Sequence, residues 1–457
     1  MDNVRLSRLT IAILIATAAS QSAFAGAVAF PGAEGAGKNA RGGRGGDVYH
    51  VANLRDSGPG SFRHGIDNAT GPRTIVFDVG GTIDLASPIS VDRPFITVAG
   101  QTAPGGGITL KGYPLVIHST HDVIVRYIRT RPGDIRTEPS VNEPDALSAV
   151  NSKNIIIDHV SASWSTDEVL SVTHESNNVT VQWCLITEAL NNSHHHKGSH
   201  GYGSLINGGD FTFHHNLFAD NTSRNPRPSQ TAGVMVPTRL DFVNNVIYNS
   251  GIRYGYGGDD TMYLNFVNNY GISGPNTSHN KLFQGATAET GVYQSGNFMD
   301  TNKDGVLNGI CGGWVDFDGG FTRSSSRFEL PVVNTEIASK ALDSVTTKAG
   351  ASLVRDAVDK RVIADVRSCG LRGRIIDSQN EVGGWPCLQE GKALSDTDQD
   401  GMPDSYENSV SYSNPHDASD RNADANGNGY TDIEDYLHFL TTRQAPVQAS
   451  GSGNVKK

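Results

Sequence analysis

The sequence predicts an all-β fold, a right-handed parallel β-helix (solenoid) followed by a small C-terminal module of different composition. The 457-residue chain contains 52 glycines and only 37% hydrophobic residues, which favours many turns over long helices. Short β-rich lines that end in polar residues begin every 24 to 32 residues from residue 123 to residue 264. This spacing fits one solenoid coil with variable loops. A β-sandwich is the competing fold, but no even hairpin spacing indicates it.

The first 25 residues are typical of a secretory signal peptide. Arg5 and Arg8 precede a short apolar run, and Ala23-Phe24-Ala25 supplies a small-residue cleavage site. Neither this run nor any later one has the length of a membrane span. The sequence therefore predicts export, to the extracellular space or the periplasm, without a spanning segment.

Export permits disulfides among the four cysteines of the chain. Cys369 and Cys387 lie near the end of the predicted β-helix and are one candidate pair, although spacing alone does not fix the pairing. Cys184 lies on a strand line, where a buried thiol is an equally good interpretation.

The chain carries 48 acidic and 37 basic side chains and has a formal net charge of −11. Nucleic-acid binding needs a concentrated basic face, so the charge argues against nucleic acid as a partner. An acidic protein of this kind suits divalent cations such as Ca²⁺, which prefer carboxylate oxygens.

The predicted β-helix spans residues 26–390. Its glycine-rich start, residues 30–46, lacks the Gly-Lys-Ser/Thr ending and the following helix of a phosphate loop. We interpret this segment as tight turns that cap the first coil. In the later lines, alternate side chains such as Ile155 and Ile157 are predicted to face inward. Asparagines also recur at equivalent places, where stacked amides bond one another at a coil corner. These asparagines are Asn216, Asn245 and Asn269.

Motifs that carry chemistry lie on successive lines of the predicted helix. They are Ile157-Asp158-His159, then Phe213-His214-His215-Asn216, then Arg224-Asn225-Pro226-Arg227, with Phe30-Pro31-Gly32-Ala33-Glu34-Gly35 near the start and Lys197-Gly198-Ser199-His200-Gly201-Tyr202-Gly203 before the His-His-Asn line. In this combination the region from Gly26 to about Gln389 resembles the pectate lyases of the first polysaccharide lyase family. The resemblance implies a parallel β-helix, secretion and Ca²⁺-dependent cleavage of polygalacturonate by β-elimination, which yields unsaturated oligogalacturonides.

Elimination must remove the proton beside a uronate carboxylate and hold the enolate-like charge that develops. Ca²⁺ takes several carboxylate oxygens in a flexible shell. By the resemblance, Glu143 and Asp145 match one acidic pair of the family pattern, and Asp167 matches the leading member of the second pair. The partner position holds Ser171, so the substrate carboxylate, water or Glu168 is expected to complete the shell.

By the same resemblance, Arg224 corresponds to the catalytic arginine, the proposed base, and Lys197 to a substrate-binding lysine. A guanidinium ordinarily holds its proton to above about pH 12. Two alternatives stay open: Arg224 loses its proton under alkaline conditions, or it acts as an electrostatic clamp while Lys197 accepts the proton. The family's further substrate-binding arginine falls at Ser229 in this sequence, and Arg227 is the candidate substitute.

A histidine tract, His194 to His196 with His200 nearby, resembles a metal site at first sight. Zinc needs ligands that converge on one point, whereas consecutive residues of an extended chain point in alternating directions. We therefore place His196 and His200 in the substrate groove.

The composition changes after Leu388, and residues 391–442 are predicted to form a second, EF-hand-like module. Acids at loop positions 1, 3, 5, 9 and 12 with glycine at 6 match an EF-hand loop; these acids are Asp396, Asp398, Asp400, Asp404 and Glu407. A second loop repeats the spacing with Asp424, Asn426, Asn428, Asp432 and Asp435. Its short last acid predicts weaker binding. Residues 443–457 are predicted to be disordered.

The two loops resemble dockerin-like and thrombospondin type 3 calcium repeats. This resemblance implies either a stabilising appendage or a module that attaches the enzyme to a protein or a cell surface.

Together these features predict a secreted, Ca²⁺-dependent pectate lyase whose partner is an acidic polysaccharide. Two alternatives belong to other classes of function. One is a non-catalytic β-helix that only binds acidic glycans, which the departures at Ser171 and Ser229 support. The other is a lyase that acts on another uronate polymer.

Overall fold

The computed structural model describes residues 27–137 and 144–442. The predicted signal peptide, Glu143 and the predicted disordered tail lie outside these ranges. Within them, the chain winds through three long sheets whose neighbouring strands pair in parallel. Successive coils add one strand at a time to each sheet. The arrangement fits the right-handed parallel β-helix that the sequence predicts.

Sheet 1 has eleven strands: β1 Asp47–Val51, β2 Arg73–Phe77, β5 Ile96–Ala99, β8 His121–Arg126, β11 Lys153–Asp158, β14 Asn177–Gln182, β17 Asp210–His214, β20 Thr238–Val243, β23 Met262–Val267, β26 Thr290–Ser295 and β29 Thr322–Arg323. Sheet 2 has six: β4 Ile89–Val91, β7 Leu115–His118, β10 Leu147–Val150, β13 Leu170–Thr173, β16 Leu205–Asn207 and β19 Arg227–Ser229. Sheet 3 has nine: β3 Gly81–Asp84, β6 Ile108–Lys111, β9 Arg129–Arg131, β12 Ser161–Ser163, β15 Leu185–Thr187, β18 Leu217–Ala219, β21 Val246–Tyr248, β24 Tyr270–Ile272 and β27 Phe298–Asp300. A small fourth sheet contains β22 Gly255–Gly257, β25 Phe283–Gly285 and β28 Phe317–Asp318.

Inward-facing side chains of sheet 1 stack in columns along the helix axis. Ile155 pairs in register with Val179, which pairs with Phe211, which pairs with Leu240. All four side chains are fully buried in the main core. The predicted alternation of inward and outward positions is confirmed.

The predicted asparagine ladder is also confirmed and gains a fourth rung. The Nδ2 atoms of Asn216, Asn245 and Asn269 each donate to the Oδ1 atom of the next asparagine, at 3.0, 3.2 and 2.9 Å, and the last acceptor is Asn297. The same oxygens accept the backbone N–H groups of the preceding rungs. The ladder therefore satisfies backbone groups that the corner between sheets 1 and 3 would otherwise leave unpaired.

The glycine-rich segment does not cap the first coil, so that interpretation was wrong. It crosses the outer face of sheet 1, where Gly37 N–H donates to Thr180 Oγ1 and Gly43 N–H donates to Thr97 Oγ1, both at 2.8 Å. A Cβ on Gly37 would lie 2.0 Å from the carbonyl oxygen of Ile155. Glycine is therefore required because the two backbones approach so closely.

The helices of the β-helix domain pack against its coils. Helix α1 (Phe62–Asp67) inserts Phe62 into the core beside the first strands. Helices α2 (Ala338–Lys348) and α3 (Ala357–Val366) cover sheet 3 with apolar side chains that include Leu342 and Val362. In residues 27–137 and 144–442, no helix has both the length and the apolar character that crossing a bilayer requires.

All four cysteines are free thiols, and Cys184 is fully buried, which agrees with the buried-thiol alternative. The candidate bond between Cys369 and Cys387 is not formed. The Cys369 carbonyl accepts the Gly305 N–H just beyond β27, whereas Cys387 lies next to Trp385, whose indole N–H donates to the Arg131 carbonyl on β9. Six strand steps separate β9 from β27 in sheet 3, or about 29 Å at ~4.8 Å per step. That distance far exceeds the reach of a disulfide.

Residues 391–442 lie against the outer face of the first coils. This segment contains the short helix α4 (Asp404–Glu407) and the helix α5 (Asp432–Thr442). Met402, Tyr406 and Ile433 are buried in one apolar cluster with Val76 and Ala99 of sheet 1.

Candidate active site

The predicted acids and arginine come together at the edge of sheet 2 where its strands begin. Asp145 lies just before β10, Glu168 just before β13 and Arg224 just before β19. Glu168 forms an isolated parallel bridge with Tyr202, and Tyr202 forms another with Ser223. Coil stacking therefore brings residues far apart in sequence to one edge.

Three carboxylates form the acidic part of this edge. Oxygen atoms of Asp145, Asp167 and Glu168 all lie within 4.8 Å of one another. Burial and the neighbouring Asp167 raise the pKa of Asp145 well above its ordinary value, while Ser171 and Arg224 oppose the shift. Three acids so close together favour a bound cation, and an all-oxygen donor set suits Ca²⁺.

Ser171 supports this cluster at the position where the family pattern has an acid. Its hydroxyl bonds the carboxylate of Asp145, and its Oγ accepts the backbone N–H of Leu205 at 3.1 Å. The serine therefore holds Asp145 in place, and Glu168 is the acid that completes the trio.

Arg224 is fixed beside the acids. Its Nη1 pairs with Glu168 Oε1, and its guanidinium lies 4.2 Å from the centre of the Tyr202 ring. Its backbone is left-handed, with φ of +59°, a conformation that costs of order 1 kcal/mol in a non-glycine residue. The surrounding coils hold the arginine in this conformation.

As the sequence predicts, the consecutive histidines do not converge on one point, but His195 and the nearby His200 converge on Asp167, with ligand atoms of the three residues within 4.8 Å of one another. His194 Nε2 lies 2.7 Å from the carbonyl of Asp134, whereas the buried His195 places Nε2 3.5 Å from Asp167 Oδ2. His200 stacks on His195 with ring centres 3.5 Å apart and places its Nε2 3.8 Å from Asp167 Oδ1. The His196 ring also stacks on the His195 ring, with ring centres 5.1 Å apart, and His196 is exposed.

The remaining cationic residues lie on β19 and on the loop before β16. The Arg227 guanidinium lies 5.3 Å from the Tyr256 ring centre, and Ser229 shares its face of the strand. Lys197 is exposed on the loop, and its backbone N–H donates to His195 Nδ1 at 3.1 Å. Arg227 and Lys197 therefore flank the cluster that holds Arg224.

Sequence reasoning did not single out His195 or Tyr202. The signal for Tyr202 was the segment from Lys197 to Gly203, which was used only for its family resemblance, and the signal for His195 was the histidine tract, of which only His196 was assigned to the groove. Their contacts with Asp167 and Arg224 depend on which coils lie next to each other, and no local pattern shows that.

The structure separates the predicted acids of the C-terminal module into two loops. In the first loop, Asp396, Asp398 and Asp400 converge within 4.8 Å, whereas Asp404 turns away and accepts from the backbone N–H and Oγ1 of Thr397. Glu407 meets Asp400 in a second group. The second loop closes on itself, because the side-chain amides of Asn426 and Asn428 donate to Asp435 while Asp424 and Asp432 accept the loop N–H groups of Gly429 and Ala425.

The parallel β-helix and the carboxylates and arginine along one edge define a polysaccharide lyase of the β-helix class. The chain is 39% identical over 420 residues to the probable pectate lyase C of Aspergillus flavus, covering 90% of this chain and 94% of the relative. It is 40% identical over 406 residues to the probable pectate lyase C of Aspergillus fumigatus, covering 88% and 91%. The chain belongs to the pectate lyase family and is a pectate lyase.

Comparison with solved structures supports the fold. The pectate lyase of Bacillus sp. N165, solved in complex with trigalacturonate, matches with a TM-score of 0.51 at 17% identity. The match covers 70% of this chain and 99% of that one. No family model matches the chain.

Proposed function

We propose that this enzyme is secreted and cleaves polygalacturonate by Ca²⁺-dependent β-elimination to unsaturated oligogalacturonides. The observation that carries the proposal is the trio of carboxylates within 4.8 Å beside Arg224. Asp145, Asp167 and Glu168 would hold the cation, and the sequence adds Glu143 to this set. A bound Ca²⁺ would neutralise the uronate carboxylate and so favour loss of the neighbouring proton.

Arg224 then serves as the clamp for the charge that develops during elimination. Its guanidinium is paired with Glu168 and stacked on Tyr202, so it is oriented before the substrate arrives. Lys197 is the candidate proton acceptor because it is exposed on the loop that borders the acids. Arg227, His196 and His200 complete the groove as contacts for the anionic sugar chain.

The Arg224→Lys variant tests the clamp. It keeps a positive charge but loses the planar fork and the stacking on Tyr202, so kcat on polygalacturonate should fall about 100-fold to 1,000-fold. Polygalacturonate binding should change little. The matched control is Arg323→Lys, an exposed arginine stacked 4.9 Å from Trp314. An unchanged kcat in Arg224→Lys would remove the residue from the mechanism.

A substrate panel separates the polygalacturonate proposal from the other uronate polymers. The groove offers the positively charged side chains of Lys197, Arg224 and Arg227. These side chains bind the sugar chain through its free carboxylates, which methylation removes. Elimination rates should therefore be highest on polygalacturonate and fall as the degree of pectin methylation rises. Faster elimination on alginate than on polygalacturonate would show that a different uronate is the substrate.

A further inference from the structure

A second group of carboxylates lies on the outer flank of the first coils, within the C-terminal module. Asp396, Asp398 and Asp400 form one group, and Asp400, Glu407 and Asp420 form another, each with oxygen atoms within 4.8 Å of one another. Asp400 belongs to both groups. The five acids therefore surround one small volume, and Asp400 and Glu407 are fully buried.

The oxygen atoms of these acids are divided between two roles. Asp396 accepts the Gly401 N–H at 2.9 Å, and Asp400 Oδ1 accepts the Met402 N–H at 2.8 Å. Among the residues that the structure describes, five buried oxygens of the cluster have no hydrogen-bond partner. These are Asp398 Oδ1, Asp398 Oδ2, Asp400 Oδ2, Glu407 Oε2 and Asp420 Oδ1.

Such an arrangement is unfavourable without a cation. Burial and the neighbouring acids raise the pKa of Asp400 to about 8 and that of Glu407 to about 7. Unpaired buried carboxylates are costly, whereas a hard divalent cation accepts several carboxylate oxygens at once.

The five acids of this cluster differ from the five ligands that the EF-hand spacing predicts. Asp404, at the ninth loop position, bonds Thr397 instead. Asp420, from the turn Asp420–Asn422, takes its place and is oriented by the Asn414 N–H, which donates to Asp420 Oδ2 at 2.8 Å. The cluster of acids therefore joins the first loop to the segment that leads into the second.

The module that carries the cluster is attached to the β-helix on several sides. Arg44, from the glycine-rich segment, forms a buried salt bridge with Glu434 of α5 at 2.9 Å. His50 of β1 lies 3.8 Å from Asp396 and also pairs with Asp78. The apolar side of α5 packs on Val76 and Ala99, so that face is used within the chain.

We propose that Asp396, Asp398, Asp400, Glu407 and Asp420 bind one Ca²⁺ ion that fastens residues 391–442 onto the first coils of the β-helix. The ion stabilises the whole chain and takes no part in polysaccharide cleavage. The proposal is independent of the lyase chemistry.

The Asp398→Asn variant tests the site in the full-length enzyme. Both oxygens of Asp398 lack partners among the described residues, so neutralising this side chain removes a ligand without breaking a hydrogen bond. In saturating Ca²⁺ the thermal midpoint should fall below that of the wild type. In EDTA it should equal or exceed the wild-type midpoint because one repelling charge is gone.

The control variant is Asp417→Asn, an exposed acid of the same module whose carboxylate accepts from the backbone N–H and the hydroxyl of Ser419. It should show the same difference between Ca²⁺ and EDTA as the wild type. At Ca²⁺ 100 times the Kd, the ratio of folded to unfolded wild type should rise about 100-fold through this site. Equilibrium dialysis should count one fewer bound Ca²⁺ in Asp398→Asn.

The proposed site would be contradicted if Asp398→Asn showed the same Ca²⁺-dependent rise in thermal midpoint as the wild type and bound the same number of Ca²⁺ ions. Its kcat on polygalacturonate, measured below both midpoints, should equal the wild-type value. This readout separates the flank site from the acids at the edge of sheet 2, because failure of the lyase proposal would leave the midpoints unaffected.

Discussion

At the scale of single residues, His214 makes the free energy of unfolding depend on pH. The side chain is buried on β17, and its Nε2 donates to Gln182 Oε1 at 3.1 Å. Its Nδ1 lies 2.9 Å from His215 Nδ1. Burial, followed by the neighbouring His215, lowers the pKa of His214 well below its ordinary value of 6.5.

Protonation therefore favours the unfolded chain. Between the ordinary and the lowered pKa, the unfolded state binds more protons, so the free energy of unfolding falls as pH drops below about 6.5. This group contributes at most about 1.4 kcal/mol per pH unit. The His214→Gln variant should flatten the dependence between about pH 5 and pH 7, measured by urea unfolding. The exposed His118→Gln variant should keep the wild-type slope; an unchanged slope in His214→Gln contradicts the account.

At the candidate site, motifs in the sequence identify some of the functional residues and miss others. Asp145, Asp167 and Arg224 were assigned from motifs, and the structure brings them together. The role of Ser171 was not foreseen, because its hydroxyl reaches Asp145 from the neighbouring coil. His195 and Tyr202 were missed for the same reason: their partners are neighbours across coils and carry no local pattern.

At the scale of elements, the asparagine ladder stabilises the corner between sheets 1 and 3. Asn245 accepts from the backbone and the side chain of Asn216, and it donates to the Phe213 carbonyl and to Asn269. The Asn245→Ala variant leaves these buried groups unpaired, so the free energy of unfolding should fall by about 2–4 kcal/mol.

Equilibrium unfolding in denaturant measures that change. The exposed Asn380→Ala variant serves as the control and should lie within about 0.5 kcal/mol of the wild type. If Asn245→Ala unfolds with the wild-type free energy, the ladder does not hold the corner.

The ladder and the inward columns were predictable because they repeat with the coil. The path of residues 30–46 was not, because a glycine run is compatible both with tight turns and with close backbone approach. The position of Cys387 was not predictable either. The neighbouring Trp385 packs on Trp164, and this contact places the loop that contains Cys387 beside the first coils.

At the scale of the whole molecule, the two proposed cation sites are built from separate clusters of acids. The trio at the edge of sheet 2 lies beside Arg224, whereas the five acids of the flank lie within residues 391–442, the segment that packs on the first coils of the β-helix. We therefore expect chelation to remove two ions with different roles, and activity and stability must be measured separately.

The most direct test follows the ultraviolet absorbance of the unsaturated product from polygalacturonate, below all thermal midpoints. We compare the wild type, Asp167→Asn and Asp398→Asn after chelation and with increasing Ca²⁺. Product should vanish with EDTA and return with Ca²⁺ in the wild type and in Asp398→Asn at the same concentration, whereas Asp167→Asn should need more Ca²⁺ or stay inactive. Product formation that EDTA leaves unchanged, or an Asp167→Asn enzyme with the wild-type Ca²⁺ requirement, would contradict the account.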